Sequence, residues 1–213
     1  MNYKAVFNII SRILLVEALL MMLPLIVCII YQENPVCFLI PIVILGVLGG
    51  CGTLTLKTDD KIYSREGFVV VALSWILMSI GGCLPFMISG YIPSFADAFF
   101  ETVSGFTTTG ASILTDVEAL PQGLLFWRSF THWIGGMGVL VFIMAIMPLT
   151  GIRSVHLMRA EVPGPTKSKL VPRMKDTASL LYRIYIAMTL VEVVLLMLGG
   201  MNLFDALVHS FGT

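Results

Sequence analysis

The sequence of 213 residues is poor in charge: Asp, Glu, Lys and Arg make up 12% of it, and the formal net charge is zero. Soluble domains carry about a quarter of their residues as these four types, so the shortage argues against a soluble globular protein. Hydrophobic residues instead make up 57% of the chain, and the mean hydropathy is +0.94. We therefore expect the lipid bilayer, and not nucleic acid, as the partner of this surface.

The sequence also lacks the clustered side chains that catalysis or metal binding would need. Its three histidines are scattered, and its one adjacent pair of acids is Asp59 and Asp60. The four cysteines lie within or at the edges of apolar stretches, where we expect small apolar residues rather than a disulfide or metal set: Cys28, Cys37, Cys51 and Cys83. We predict that the chain is not an enzyme and has no organic cofactor.

Long apolar runs are what the sequence has in abundance. A spanning helix needs about 20 apolar residues, and five windows are long enough: 13–31, 37–56, 68–90, 124–148 and 178–200. We predict an all-α polytopic membrane protein in four parts. These are two leading helices (1–66), a helix–pore loop–helix unit (67–150), a basic loop (151–177) and a second, shortened unit (178–213).

Basic residues are distributed unevenly between the segments that join these windows. Twelve of the thirteen Lys and Arg residues precede the first window, lie between the second and third, or surround the loop before the fifth. The positive-inside rule makes these segments cytoplasmic. We predict a cytoplasmic N-terminus, cytoplasmic loops at 57–66 and 151–177, and an external segment at 91–123.

The external segment begins with a short amphipathic helix, "SFADAFFETVSG" at 94–105. Ser94 followed by Asp97 predicts an N-cap that resembles a capping box, and Gly105 marks the end. Twelve residues make about 18 Å of helix, roughly half of the hydrocarbon core, so this helix cannot cross and is predicted to re-enter and turn back.

The polar stretch "TTTGAS" at 107–112 follows this short helix. Backbone outside a helix is tolerated at membrane depth only where it is buried in protein or lines a watery path. Gly110 allows φ values that direct successive carbonyls to one side, and the helix presents its negative end to a cation. This order of elements is typical of a cation-channel pore loop. The alternative is an external Thr/Gly loop lying over the protein.

The end of the chain repeats this pattern. The stretch "LMSIGGCLPF" (77–86) resembles "LLMLGGMNLF" (195–204), and 94–105 aligns with "NLFDALVHSFGT" (202–213). We predict that both Gly-Gly pairs close a spanning helix and that a re-entrant half-helix follows each one. The chain stops just before a second counterpart of "TTTGAS", so we expect it to be a fragment of a longer chain.

Three stretches carry a resemblance to a known family: "ADAFFETVSGFTTTGAS", "FWRSFTHWIGGMGVLV" and "EVPGPTKSKLVPRMKDTASLLYRIY". With the repeat ending, they resemble the membrane-spanning subunit of the Trk/Ktr/HKT superfamily of potassium transporters, in its bacterial Trk type. The resemblance implies one polypeptide that folds four non-identical repeats around a single pore. It further implies a homodimer in the bacterial inner membrane and a cytosolic nucleotide-binding regulatory subunit.

The resemblance also implies which residues bind the ion. Each filter of this family has one central glycine, here Gly110, and the carbonyls of Thr108 and Thr109 before it would bind K⁺. The residues that flank these three are Thr107, Ala111 and Ser112.

Ionisable residues inside or beside the apolar windows have several interpretations. Arg128 could support the filter by pairing with Glu101 or Asp97, repel cations at the entrance, or extend to lipid headgroups. Glu17 and Glu192 lie within spans, which raises an ion-pathway hypothesis that nothing else in the sequence supports.

The function predicted from these features is potassium uptake through a glycine-centred carbonyl filter. Two alternatives are a polytopic membrane enzyme acting on a lipid-linked substrate and a secondary solute carrier. The enzyme would need clustered catalytic groups. The carrier would need paired broken spanning helices, whereas both discontinuities here are short half-helices.

Overall fold

The computed structural model describes residues 3–55, 64–146 and 174–213, with side chains described for 3–55, 67–138 and 179–213. The helices in these ranges are α1 (Tyr3–Leu20), α2 (Met22–Ile30), α3 (Val36–Thr55), α4 (Ser64–Ser89), α5 (Phe95–Phe106), α6 (Gln122–Ile146), α7 (Met174–Leu198) and α8 (Leu203–Gly212). The predicted all-α class is confirmed. Most of the two loops predicted to be cytoplasmic, up to residues 63 and 173, lies outside the described residues.

Four helical segments of the described residues are long and apolar enough to cross a membrane: Tyr3–Ile30, Val36–Thr55, Gly67–Ser89 and Ser179–Leu198. They correspond to four of the five predicted windows. The remaining window, 124–148, falls on α6, a continuous helix that is not among these four.

The first span consists of α1 and α2, which are interrupted at Met21. Pro24 has no N–H and cannot donate to the carbonyl four residues before it, so one helical hydrogen bond is missing at this point. The bonds on either side persist, because Met21 N donates to the Glu17 carbonyl at 2.9 Å and Leu25 N to the Met21 carbonyl at 3.2 Å. The interruption therefore bends one span and does not separate two.

Short helices are present at both predicted positions, with different caps. Helix α5 has 12 residues and α8 has 10. At α8 the Asn202 side chain accepts a hydrogen bond from Asp205 N at 2.8 Å, so this N-cap is confirmed. At α5 Ser94 has the extended conformation of an N-cap residue, but its side chain makes no cap hydrogen bond. The capping box predicted at Ser94 and Asp97 is therefore wrong.

The two Gly-Gly pairs occupy different positions, which corrects the predicted alignment of the preceding helices. Helix α4 continues through Gly81 and Gly82 to Ser89 and is followed by Gly90 with φ +79°. Helix α7 ends at Leu198, directly before its glycine pair, and Gly200 has φ +99°. The glycine that follows each helix in a left-handed conformation is thus Gly90 in one unit and Gly200 in the other.

The apolar core places α5 and α6 against the leading helices. Trp127 of α6 is fully buried, contacts the rings of Phe38 and Phe106 edge-on at centroid distances of 6.4 Å, and donates its indole N–H to the Gly82 carbonyl at 2.9 Å. A Cβ at Gly82 would lie 2.7 Å from the Thr102 methyl group, so the missing side chain lets α4 approach α5 closely. These contacts fix the end of α5, where the polar stretch begins.

Candidate functional site

The polar stretch leaves α5 through a tight series of backbone hydrogen bonds. Thr107 N donates to Val103 O at 2.8 Å, Thr108 N to Gly105 O at 2.9 Å and Thr109 N to Ser104 O at 2.9 Å. These bonds use carbonyls that the last turn of a helix leaves without partners. The N–H groups of Thr107, Thr108 and Thr109 are thereby bound back to the helix.

The backbone conformation of the loop is unusual at two positions. Gly110 has φ +75°, as its predicted role requires, and Thr108 has φ +56°. Thr108 and Gln32 are the two non-glycine residues with positive φ in the described part of the chain. A β-branched residue in this region is strained, and such strain persists where the surroundings enforce it. Thr109 between them has no positive φ, so the sign alternates along 108–110.

The carbonyls of Thr108, Thr109 and Gly110 accept no hydrogen bond from any described residue, and residues 107–112 are exposed. The nearby hydroxyl groups are bound to each other: Thr107 Oγ1 donates to Val103 O at 2.8 Å and lies 2.7 Å from Thr109 Oγ1. The three central carbonyl oxygens are therefore free acceptors among the described residues.

The far side of the loop is held by Glu101, whose side chain is almost fully buried. Its carboxylate accepts from the Ser112 hydroxyl at 2.9 and 3.0 Å, from Ile113 N at 3.1 Å and from Arg128 Nε at 2.5 Å. One carboxylate thus joins α5, the returning loop and α6. We call these residues (Glu101, Ser112, Ile113 and Arg128) the Glu101 clamp.

Of the two acids that could pair with Arg128, the structure selects Glu101. Asp97 is exposed in the first turn of α5 and makes no ion pair among the described residues. Among the described residues, Asp97 therefore makes no ion pair through which it could support the loop. An acid in the first turn of a helix has a simpler role, since it interacts favourably with the helix dipole.

A second tie between helix and loop involves Ser104, whose hydroxyl donates to the Ala111 carbonyl at 2.5 Å. Sequence reasoning did not single out this residue. Its signal is the spacing: Ser104 lies three residues after Glu101, on the same side of α5, and both precede the polar stretch. Ala111 and Ser112, predicted only to flank the filter, are the residues through which the loop is attached.

Helix α6 is held close to the end of α5 by small residues. A Cβ at Gly135 would lie 2.7 Å from the carbonyl carbon of Phe106, and one at Gly105 would overlap the Thr131 side chain. The start of α6 is fixed by Glu33, whose two carboxylate oxygens accept from Gln122 N at 2.7 Å and Gly123 N at 2.9 Å. This acid, 90 residues away in sequence, caps the helix that carries Arg128, and no local sequence pattern predicts this contact.

Comparisons with known proteins agree on one family. The family model "TrkH: Cation transport protein" matches residues 37–213. The chain is 37% identical over 217 residues to the Trk system potassium uptake protein TrkH of Vibrio parahaemolyticus, covering 100% of this chain and 45% of that protein. It is 38% identical over 200 residues to TrkG of Escherichia coli K12, covering 92% of this chain and 41% of that protein.

The fold matches a solved structure of the same kind. The crystal structure of the potassium transporter TrkH from Vibrio parahaemolyticus aligns with a TM-score of 0.84 at 33% identity, covering 99% of this chain and 42% of that chain. The chain therefore spans less than half the length of the relatives it matches.

Proposed function

The chain belongs to the TrkH family of cation transport proteins, and from this premise we propose that it supplies the first selectivity filter of a potassium-uptake protein. The relatives named above are potassium uptake proteins and not enzymes, which favours transport over the membrane-enzyme alternative. In this proposal the chain is part of a longer polypeptide with four repeats around one pore. The half-helices α5 and α8 re-enter the membrane from outside, and the N-terminus is cytoplasmic.

The observation that carries the proposal is the free backbone between two attached ends. Thr108, Thr109 and Gly110 present three carbonyls without a donor, while Ser104 and Glu101 hold Ala111, Ser112 and Ile113. Potassium filters replace the hydration shell of the ion with backbone carbonyl oxygens. Left-handed φ values at Thr108 and Gly110 alternate with an ordinary one at Thr109, a pattern that can direct successive carbonyls to one side.

Electrostatics favour a cation at this loop. The C-terminal end of α5 carries the partial negative charge of the helix dipole, and the loop begins directly after it. The carboxylate of Glu101 is neutralised by Arg128, so the local field at the loop comes from backbone dipoles. An inward-negative membrane potential contributes about 2.3 kcal/mol per 100 mV for one charge, which is enough to drive passive uptake.

We propose a homodimer in the bacterial inner membrane with a cytosolic nucleotide-binding regulatory subunit, as in the family it resembles. A secondary solute carrier would instead require paired broken spanning helices, whereas α5 and α8 are short helices of 12 and 10 residues, which favours the filter.

The test is Gly110→Ser in the full-length protein, with K⁺ and Na⁺ competing for uptake in cells at matched expression. Positive φ costs a non-glycine residue about 1–2 kcal/mol, so the loop must either bear this strain or move its carbonyls. We expect K⁺ over Na⁺ discrimination to fall by about tenfold, the equivalent of 1.4 kcal/mol, or K⁺ uptake to be lost.

The matched control for this variant is Gly90→Ser. Gly90 has φ +79°, and neither glycine has an atom within 4 Å of a Cβ built on it, so both variants impose similar strain without a clash. Only Gly110 lies in the loop, and Gly90→Ser should keep wild-type selectivity, as should Thr115→Ala further along the chain. Unchanged selectivity and flux in Gly110→Ser would refute the filter assignment.

A further inference from the structure

A cavity of about 440 Å³ lies between the α2–α3 turn, the end of α4 and the start of α6. Two thiols line it: Cys28 near the end of α2 and Cys37 at the start of α3. It is separate from the polar loop that the proposed function uses. We infer that Cys28 and Cys37 form a reversible dithiol–disulfide site, a covalent modification site at the end of the fold that the proposed topology places outside the cell.

The geometry brings these two side chains together. The two thiols line the same cavity and lie close to each other, although eight residues of chain separate them. The turn between them is fixed by Glu33 N donating to Cys28 O at 2.8 Å and by Cys37 Sγ donating to Asn34 O at 3.1 Å. A disulfide requires its two Cβ atoms about 3.5–4.5 Å apart, and two neighbouring thiols on one cavity wall need little movement to reach this range.

The other two cysteines lack this arrangement. Cys83 is buried and donates to the Ile80 carbonyl of its own helix, and Cys51 is exposed in α3. Neither lines the cavity. The pairing is thus selective for Cys28 and Cys37, and Cys51 and Cys83 provide internal controls.

The cavity gives a small reagent a route to thiols that are otherwise buried. Its wall also carries polar groups of Glu33, Asn34, Ser89 and Tyr91, so water and polar solutes can enter it. The oxidant is a disulfide reagent, as expected outside the cytosol where disulfides persist. Each cysteine loses its proton, one sulfur–sulfur bond forms between Cys28 and Cys37, and the two electrons and two protons reduce the disulfide of the oxidant to two thiols.

The site adjoins the start of α6. The Glu33 carboxylate caps α6 through Gln122 N and Gly123 N, and both Cys28 Sγ and a Glu33 carboxylate oxygen lie within 3.3 Å of a Cβ built at Gly123. A Cβ at Gly123 would overlap Cys28 Sγ, so the sulfur lies directly against the first turn of α6. Oxidation converts the thiol beside this first turn into a disulfide and fixes the α2–α3 turn beneath the helix.

The experiment treats the full-length protein in membranes with oxidised glutathione, quenches free thiols with an alkylating reagent, and maps the cysteines by peptide mass spectrometry. We expect a peptide pair joined through Cys28 and Cys37, two hydrogens lighter than the separate peptides and released by dithiothreitol. Loss of alkylation at these two positions should exceed that at Cys83 by at least tenfold.

Two variants and one control complete the test. Cys37→Ser should abolish the link and leave Cys28 alkylated or glutathionylated, whereas Cys83→Ser should leave the Cys28–Cys37 link intact. If Cys37→Ser fails to fold, the mapping of the wild-type protein still decides the outcome. Full alkylation of both thiols after oxidation, links to Cys51 or Cys83 instead, or a link that forms only after unfolding in detergent would each overturn the inference.

Discussion

Arg128→Gln in the full-length protein isolates the charge that joins α6 to the polar loop. The side chain of Glu101 is 1% exposed and that of Arg128 is 14% exposed, so the ion pair is largely removed from water. Breaking such a pair by removing one partner costs about 3–5 kcal/mol, because it leaves a buried charge uncompensated. Ser112 and Ile113 still donate to the carboxylate, so we expect a loss of stability at the lower end, about 3 kcal/mol.

The same geometry predicts that Glu101→Gln is milder. Glutamine keeps an acceptor oxygen of the same reach, and the partly exposed guanidinium of Arg128 can gain water. The loss is then the difference between charge-assisted and neutral hydrogen bonds, about 1–2 kcal/mol. Adding Glu101→Gln to Arg128→Gln removes the unpaired charge, so the double variant should be more stable than Arg128→Gln alone by about 1–2 kcal/mol. Exchange of the two charges, by Glu101→Arg together with Arg128→Glu, should not restore stability. The arginine side chain has no acceptor for the Ile113 N–H.

The assay is the apparent melting temperature of the detergent-solubilised protein, read as the fraction that remains monodisperse after heating. Asp97→Asn is the matched control, because Asp97 lies on the same helix but is exposed and unpaired among the described residues. It should change stability by less than about 1 kcal/mol. Wild-type stability in Arg128→Gln, or a double variant less stable than Arg128→Gln, would refute the clamp as described.

Two further predictions concern packing. Glu17→Met should raise the apparent melting temperature, since both carboxylate oxygens are buried without a partner among the described residues, and each unsatisfied polar group costs about 1–3 kcal/mol. A lower melting temperature would contradict this prediction, because it would show that the carboxyl stabilises the fold. Gly135→Ala should destabilise by about 1–3 kcal/mol and weaken K⁺ selection, because its methyl group meets the Phe106 backbone at the end of α5. Gly46→Ala, with no atom within 4 Å of the new Cβ, is its control and should be neutral or slightly stabilising.

Composition and periodicity were sufficient to predict most of the helices. The short helix predicted at 94–105 is Phe95–Phe106, because its apolar spacing and the glycine near its end are local properties. The alignment of the two glycine pairs was wrong because it also rested on local sequence alone. A glycine pair in sequence is equally compatible with a helix end and with a close helix contact, and only the approach of Glu17 and Thr102 distinguishes them.

The contacts that hold the site could not be predicted, because they join distant segments. Glu33 caps α6 across 90 residues, and Trp127 bonds to Gly82 across 45. The burial of Glu17 likewise depends on the glycines of α4, which no local pattern connects to α1. The positive φ of Thr108 could not be predicted either, because threonine rarely adopts this conformation.

The short helices α5 and α8 have corresponding residues in their packing contacts, but only α5 has the residues that hold a loop. Ala98 and Ala206, 108 residues apart, are both fully buried, and Thr102 and Ser210 at the same offset are buried as well. The counterpart of Glu101 at this offset is His209, which is exposed and has no carboxylate to accept hydrogen bonds from a loop. The counterpart of Ser104 is Gly212, which has no hydroxyl. Packing is therefore common to both units, whereas the Glu101 clamp is specific to the first. In the proposed pore, variants of Glu101 or Arg128 would disturb the first filter directly. The other filters would be held by different contacts.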